Sequence, residues 1–297
     1  MGLLTSPPTT TIDRVFNLAT WSPQKGVQFV VAGALLFAVA ETLLALLLRP
    51  TIGRLFRASN PKLARDPKRL RAAVTAGIAK LVGTLHNSLA IPMAAAVLLS
   101  ADVGRAAVGT ARTHAASPLS LAMCVVSASY FLYDLGCCLL RFEQEGPAYL
   151  VHAMCCLYVY GYAATFSQTL HWHGAGFLFW ELSTVFVHVR WFLYQSGRAD
   201  TQLYLINGAL LAATFFLARN VGGALLSLAF FRDTAEELRL AALGRSDFAP
   251  AAMWAYRVAN VALNALNAVW FYKIASKAGA MIFAGKKAGE VHDGKEG

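Results

Sequence analysis

The sequence predicts an all-α, polytopic membrane protein with seven transmembrane helices, one N-terminal helix followed by a bundle of six. Of its 297 residues, 57% are hydrophobic and only 14% are charged, whereas soluble chains contain about 25% charged residues. The mean hydropathy is +0.50, and the apolar residues fall into separate runs of about 20, which as helices span a bilayer. We therefore expect one continuous helical bundle rather than the two soluble domains that length alone suggests.

The first predicted helix begins near Val27 and is followed by a densely basic loop. Residues 49–71 carry eight Lys or Arg and a single acid, Asp66. A basic loop between two spans is expected to face the cytosol and to attract anionic lipid headgroups. The net charge of +10 therefore indicates membrane topology, and we do not expect a nucleic-acid partner.

Six further spans are predicted, at 75–100, 119–140, 149–168, 174–195, 203–230 and 250–275. If the 49–71 loop is cytosolic and each span crosses the membrane once, the N-terminus and the charged loop 231–249 lie outside. The C-terminus then lies in the cytosol. We divide the chain into an N-terminal segment 1–71, a core domain 72–283 and a disordered tail 284–297. The alternative is six transmembrane helices, with the first apolar run peripheral to the bundle.

Polar side chains recur on single faces of the predicted spans. Ser127, Tyr130 and Asp134 share one helical face at i, i+3 and i+7. An intramembrane charge costs about 2.5–3.5 kcal/mol on insertion scales, so such groups usually pair or line a polar cavity. Since most spans contribute, we expect a shared, partly wet interior. The candidate ligand-binding residues are His86, Tyr130, Glu181, His188, Arg190, Arg219, Arg257, Asn260, Asn264 and Asn267.

These residues also have purely structural interpretations. The three asparagines of the last span can serve as hydrogen-bonding groups between helices. Arg219 and Arg257 can snorkel or pair with Glu181, and Glu41 can pair with a basic residue. The HWHG segment offers only two histidines, too few for a metal site, so we predict an ordinary interfacial turn there and no bound metal. The five cysteines are expected to be packing residues, with palmitoylation of Cys137 or Cys138 near a membrane face as the alternative.

Asp134 and His152 are the candidate catalytic residues. Asp134 lies inside the third predicted span and His152 near the start of the fourth. A carboxylate and an imidazole at this depth are suited to proton transfer. A structural ion pair between them is the alternative.

Several separated motifs resemble the TLC-domain family, which includes ceramide synthases and the translocating-chain-associating membrane protein. The resemblance covers residues 72–283. It rests on TLHNS around His86, SYFLYDL with Asp134, YLVHAMCCLYVYGY with His152, WELSTVFVHVRWF at 180–192, INGALLAATFFLARN at 206–220 and ALNALNAVWFYKI at 262–274. It implies six transmembrane helices around a lipid-accessible cavity, one preceding helix, and residence in the endoplasmic reticulum.

The resemblance also bears on activity. In ceramide synthases the fourth-helix segment carries two adjacent histidines and the next helix a pair of aspartates, which support acyl transfer from acyl-CoA to a sphingoid amine. Here His152 matches the first histidine, Ala153 stands at the second position, and Glu181 falls where an aspartate would. The resemblance therefore implies a protein, without a cofactor, that holds a lipid or fatty acyl chain and contributes to membrane lipid homeostasis.

Two other functions stay open. The first is an acyl-CoA-dependent N-acyltransferase, in which His152 is the base or acyl acceptor, Asp134 orients it, and Arg257 or Arg219 attracts the phosphates of CoA as substrate. The second is a structural or cargo subunit of a membrane complex, so oligomerisation or complex membership is a further expectation.

Overall fold

The computed structural model describes residues 10–246 and 248–293, with side chains through residue 277. This part of the chain is helical and contains no strand, which confirms the predicted all-α class. Its long helices are α1 (Pro23–Ser59), α2 (Pro67–Leu99), α3 (Pro118–Leu140), α4 (Pro147–Thr165), α5 (His171–Leu178 and Leu182–Gln195, joined by the 3-10 turn Phe179–Glu181), α6 (Gln202–Ala242) and α7 (Pro250–Asp293).

Proline and capping residues explain where several helices begin. Proline occupies the first position of α1, α2, α3 and α4, where its missing N–H costs no hydrogen bond. The side chains of Ser22, Asp66, Ser117 and Thr201 accept hydrogen bonds from backbone N–H groups in the first turns of α1, α2, α3 and α6. These local signals fix the helix starts independently of the membrane.

Two segments that we expected to be loops are largely helical. α1 continues through Pro50 to Ser59, and a short helix covers Pro61–Ala64, so most of the basic segment 49–71 is helix. α6 extends to Ala242 rather than ending near residue 230. The sequence offers no helix-breaking residue there until Gly244, which has a φ of 65° and ends the helix in the manner of a left-handed C-terminal cap.

The last helix is longer than the predicted span 250–275, because the backbone of α7 is helical to Asp293. The domain boundaries at 71 and 283 stay predictions. Residues 294–297 of the predicted disordered tail lie outside the described residues.

The bundle has a solid half and a cavity-bearing half. α3 packs against α1, α2 and α4, and α7 packs against α4 and α6. The main hydrophobic core joins the end of α2, the start of α3, the end of α4 and the start of α5, through residues such as Val97, Leu121, Phe131, Ala164 and Leu178. This core lies at the end of the bundle away from the basic segment, and it leaves the other end to the cavity described below.

Four of the described helices are long and apolar enough to cross a membrane. By length and composition, α1, α2, α3 and α6 are able to cross a bilayer. α1 exposes a row of large apolar side chains, among them Leu35, Leu36, Leu46 and Leu47, as expected for a helix that faces lipid. The count of seven transmembrane helices stays a prediction.

Candidate functional site

A cavity of about 770 Å³ opens between α2, α3, α4, α5, α6 and α7. It lies in the half of the bundle nearest the basic segment, because its lining comes from the start of α2, the end of α3 and the end of α7. Alanine, valine, leucine and phenylalanine side chains form much of its wall. Its charged and imidazole lining residues are Lys80, Asp134, Arg141, Glu145, His152, Glu181, His188, Arg190, Arg219, Lys273 and Lys277.

Most of the residues predicted from sequence meet at this cavity. Those that line it are Tyr130, Asp134, His152, Glu181, His188, Arg190 and Arg219. Asn260 lines a smaller adjoining cavity, and Asn267 accepts a hydrogen bond from Arg219. Ionisable groups of α3, α4, α5 and α6 therefore line one cavity, and their role in binding a ligand stays a prediction.

Arg219 forms the floor of the cavity together with Glu181. It lies in Phe215–Gly222, a π-helical segment within α6, and such segments frequently occur at functional sites. Its side chain is 6% exposed and lies 3.4 Å from a Glu181 oxygen. The remaining hydrogen bonds of its guanidinium go to the Trp180 carbonyl (2.9 Å), Ser183 Oγ (2.9 Å), Thr184 Oγ1 (2.9 Å) and Asn267 Oδ1 (3.1 Å). The pair is thus held rigidly between α5, α6 and α7.

His152 is placed differently from our expectation that Asp134 orients it. Its Nε2 lies 3.6 Å from Cys156 Sγ, one turn further along α4. The rings of Phe131 and Trp270 flank it, with centroids 6.0 and 5.6 Å away. Asp134 lines the same cavity, but among the described residues no hydrogen bond or ion pair joins it to His152. Asp134 and His152 therefore share a site without forming a pair.

The mouth of the cavity is rich in cations, of which the sequence analysis selected Arg190 but not Lys80, Lys273 or Lys277. Lys80 lies over the Trp191 ring (5.1 Å) and Arg190 over the Tyr204 ring (4.1 Å). Lys273 and Lys277 line the mouth from α7. Lys80 could have been found from sequence, because a lysine inside an apolar span is itself a signal; the two α7 lysines resemble ordinary flanking charges.

Four predicted residues line neither cavity: His86, Arg257, Asn264 and Asn267. His86 is fully buried, stacks on Tyr130 with centroids 4.1 Å apart, and contacts Asn87 Oδ1 at 3.2 Å. Arg257, in the first turns of α7, donates to Thr234 Oγ1 (3.0 Å) and to a backbone carbonyl. It lies at the end of the bundle away from the cavity mouth, where it stabilises the contact between α6 and α7.

Asn264 has a supporting role. Its amide nitrogen donates to Ser227 Oγ (3.0 Å) and to Asn260 Oδ1 (3.1 Å). These bonds connect α7 to α6 and orient the Asn260 side chain. The interhelical hydrogen-bond interpretation of the asparagines fits Asn264, whereas Asn260 also lines a cavity.

The HWHG segment is buried rather than an interfacial turn. His171 is hydrogen-bonded to Ser120 (2.7 Å) and His173 to Asp233 (3.1 Å). Asp233 is 1% exposed and also lies 3.4 Å from Arg112. The helical extension of α6, which the sequence analysis assigned to a loop, supplies this partner. Among the described residues, no group of three or more potential ligands is arranged for a metal ion.

A smaller cavity of about 50 Å³ lies behind the first. Both linings include Phe131, His152 and Glu181, so these three side chains form the boundary between the two spaces. The smaller cavity is otherwise mainly apolar, but Cys156, His173 and Asn260 also line it.

Comparison with known proteins places these features in a family. A family model described as the TLC domain matches residues 78–276. Similar curated proteins include an uncharacterized TLC domain-containing protein of Schizosaccharomyces pombe, 28% identical over 50% of this chain and 48% of its own length. Topoisomerase I damage affected protein 4 of Saccharomyces cerevisiae is 32% identical over 50% and 52%. TLC domain-containing protein 4-B of Danio rerio is 31% identical over 58% and 62%. The matched region spans about half the length of these relatives.

Proposed function

This chain belongs to the TLC domain family, and on that basis we propose that it is a membrane protein that holds a lipid or fatty acyl chain in its large cavity. Through this binding it contributes to membrane lipid homeostasis. The observation that carries the proposal is the cavity of about 770 Å³, a volume within the range of about 300–1,000 Å³ typical of small-molecule sites. The membrane of the endoplasmic reticulum is the proposed location, and a sphingolipid is one proposed occupant.

The distribution of charge in the cavity favours an amphiphilic ligand. Apolar residues such as Ala76, Val187, Leu211 and Ile274 offer a wall for an alkyl chain. Cations cluster at the mouth, on the side of the basic segment, where they attract an anionic headgroup. An anionic headgroup would therefore lie at the mouth, with the alkyl chain against the apolar wall of the cavity.

A pair of neighbouring substitutions tests the proposal. Ala212 lines the cavity, whereas Ala213 is exposed on the outer face of α6. In native mass spectrometry of the detergent-purified protein, we expect a co-purifying lipid with the wild type and with Ala213→Phe. Ala212→Phe places a phenyl ring in the cavity and should remove the lipid. A wild-type protein without lipid, or equal retention by both variants, would contradict the proposal.

Acyl transfer is a second candidate, favoured by the position of His152. Its ring lines the cavity together with Glu181, and the lysines at the mouth are better placed for CoA phosphates than Arg257. Arg219 is already engaged by its hydrogen bonds. If the protein is an N-acyltransferase, long-chain acyl-CoA and a sphingoid base should yield ceramide with the wild type, and His152→Ala should abolish the yield while leaving lipid retention intact. If the lipid-loaded wild type forms no product, acyl transfer is refuted and lipid binding remains as the proposed function.

A further inference from the structure

Cys156 and His152 form a thiol–imidazole pair on one face of α4. They are four residues apart, which places both side chains on the same helical face, and Sγ lies 3.6 Å from Nε2. Cys156 is 7% exposed and lines the smaller cavity. The adjacent Cys155 is half-buried and is not among the described residues that line either cavity. The two neighbouring thiols thus have different environments.

The thiol lies just beyond the end of the large cavity. His152, Phe131 and Glu181 line both spaces, so a ligand that reaches these side chains from the mouth also reaches the neighbourhood of Cys156. These three side chains are what separates a thioester carbonyl group at the inner end of the large cavity from the space beside Sγ.

Two further groups complete the arrangement that nucleophilic catalysis requires. A nucleophile within hydrogen-bond reach of a base, accompanied by a third group near the base, is the general pattern of such sites. Glu181, fixed by Arg219, is the carboxylate that lines the smaller cavity with His152. Asn260 lines it too, and its Oδ1 accepts a hydrogen bond from Asn264. This bond leaves the Asn260 amide N–H groups to stabilise an oxyanion.

We propose that Cys156 is an acyl-accepting nucleophile, that His152 is its base, and that the donor is a long-chain acyl thioester. This proposal rests on the proposed function, because the donor's chain must enter the cavity. His152 Nε2 takes the thiol proton as Cys156 Sγ bonds to the carbonyl carbon of the donor. Collapse of the tetrahedral intermediate breaks the donor's C–S bond, and the leaving thiolate takes the proton from the imidazolium. The products are S-acyl-Cys156 and a free thiol.

Intact-protein mass spectrometry tests this step. The purified full-length protein is incubated with palmitoyl-CoA, and we expect one added palmitoyl group, removable by neutral hydroxylamine, that peptide mapping assigns to Cys156. Cys156→Ser should remove the adduct, whereas Cys155→Ser, the same substitution one position away, should retain it. His152→Ala should slow adduct formation by roughly 10²- to 10⁴-fold, the usual contribution of a general base.

The outcomes separate this proposal from the binding function. Retention of a non-covalent lipid without any adduct would overturn the role of Cys156 and leave lipid binding intact. An adduct on Cys155, or equal labelling of heat-denatured protein, would show spontaneous thiol acylation and would also overturn it. Neither lipid nor adduct in a folded wild-type protein would refute both proposals.

Discussion

Arg219 connects three helices through a single buried side chain. It lies on α6, its partners Glu181 and Thr184 belong to the α5 region, and Asn267 belongs to α7. The sequence left open whether this arginine snorkels or pairs, because both behaviours suit an arginine in an apolar span. The ion pair with Glu181 settles the question in favour of pairing.

Removing Arg219 should be strongly destabilising. In Arg219→Ala, Glu181 would remain buried without its counter-charge, and breaking a buried pair costs about 3–5 kcal/mol. Arg219→Lys should recover little of the lost stability, because an ammonium group cannot reproduce the five N–H donors of the guanidinium. Unfolding in detergent, followed by scanning fluorimetry, measures the effect.

Arg232 provides the control for that experiment. It lies on the same helix, its side chain is 68% exposed, and it is 3.9 Å from Asp233. Arg232 itself is exposed, and the buried Asp233 keeps its bonds to Arg112 and His173 without it, so Arg232→Ala should cost only about 0–1 kcal/mol. Equal losses in Arg219→Ala and Arg232→Ala would contradict the importance of the buried network.

At the scale of the element, the π-helical segment of α6 decides where Arg219 points. An extra residue per turn shifts the helical faces on either side of Phe215–Gly222 relative to each other. In this segment Leu217 is exposed and Arg219 is buried. A regular α-helical period read from the sequence does not predict this local shift.

α1 is tied to the rest of the bundle by an ion pair at the cavity edge. Glu41 of α1 accepts a hydrogen bond from Arg141, at the end of α3, with a distance of 2.6 Å. Arg141 also lines the cavity. The expectation that Glu41 has a basic partner agrees with the structure, although the partner lies 100 positions away.

A double-mutant cycle should detect this connection. We expect Glu41→Ala and Arg141→Ala each to lower the free energy of unfolding. The double variant should lose less free energy than the sum of the two single losses. Residues in direct contact show coupling energies of about 0.5–3 kcal/mol. Thermal or denaturant unfolding in one detergent provides the free energies, and strictly additive losses would mean that the pair does not hold α1 in place.

At the scale of the whole molecule, the two ends of the bundle differ: one is a packed core and the other contains the large cavity. The cavity mouth and the basic segment 49–71 share one end, and the core that joins Val97 and Leu121 occupies the other. The positive-inside rule predicts that the mouth faces the cytosol. A ligand would then enter from the cytosolic side.

Cysteine labelling should verify this orientation. In a variant without the native cysteines, Lys62→Cys samples the basic segment and Arg245→Cys the connection after α6, and both positions are exposed. After selective permeabilisation of the plasma membrane, an impermeant maleimide should label Lys62→Cys alone. Arg245→Cys should react only after full solubilisation. Labelling of both positions from the cytosol would require a different number of spans.

The sequence by itself determined the class of the molecule, the presence of its helices and a common interior for its ionisable residues. These follow from local properties, since composition, apolar run length and the high cost of an unpaired charge in lipid act on each segment separately. For this reason the residue types and their positions within apolar runs were sufficient to select Glu181, His188 and Arg219.

Only the tertiary structure decided which of these residues touch. It paired Arg219 with Glu181 and His152 with Cys156, brought Lys80 to the cavity mouth, and placed His86 and Arg257 elsewhere. Helical periodicity determines which residues share a face, but not how each helix is rotated against its neighbours. That rotation results from packing along the whole length of the bundle, and the site is its consequence.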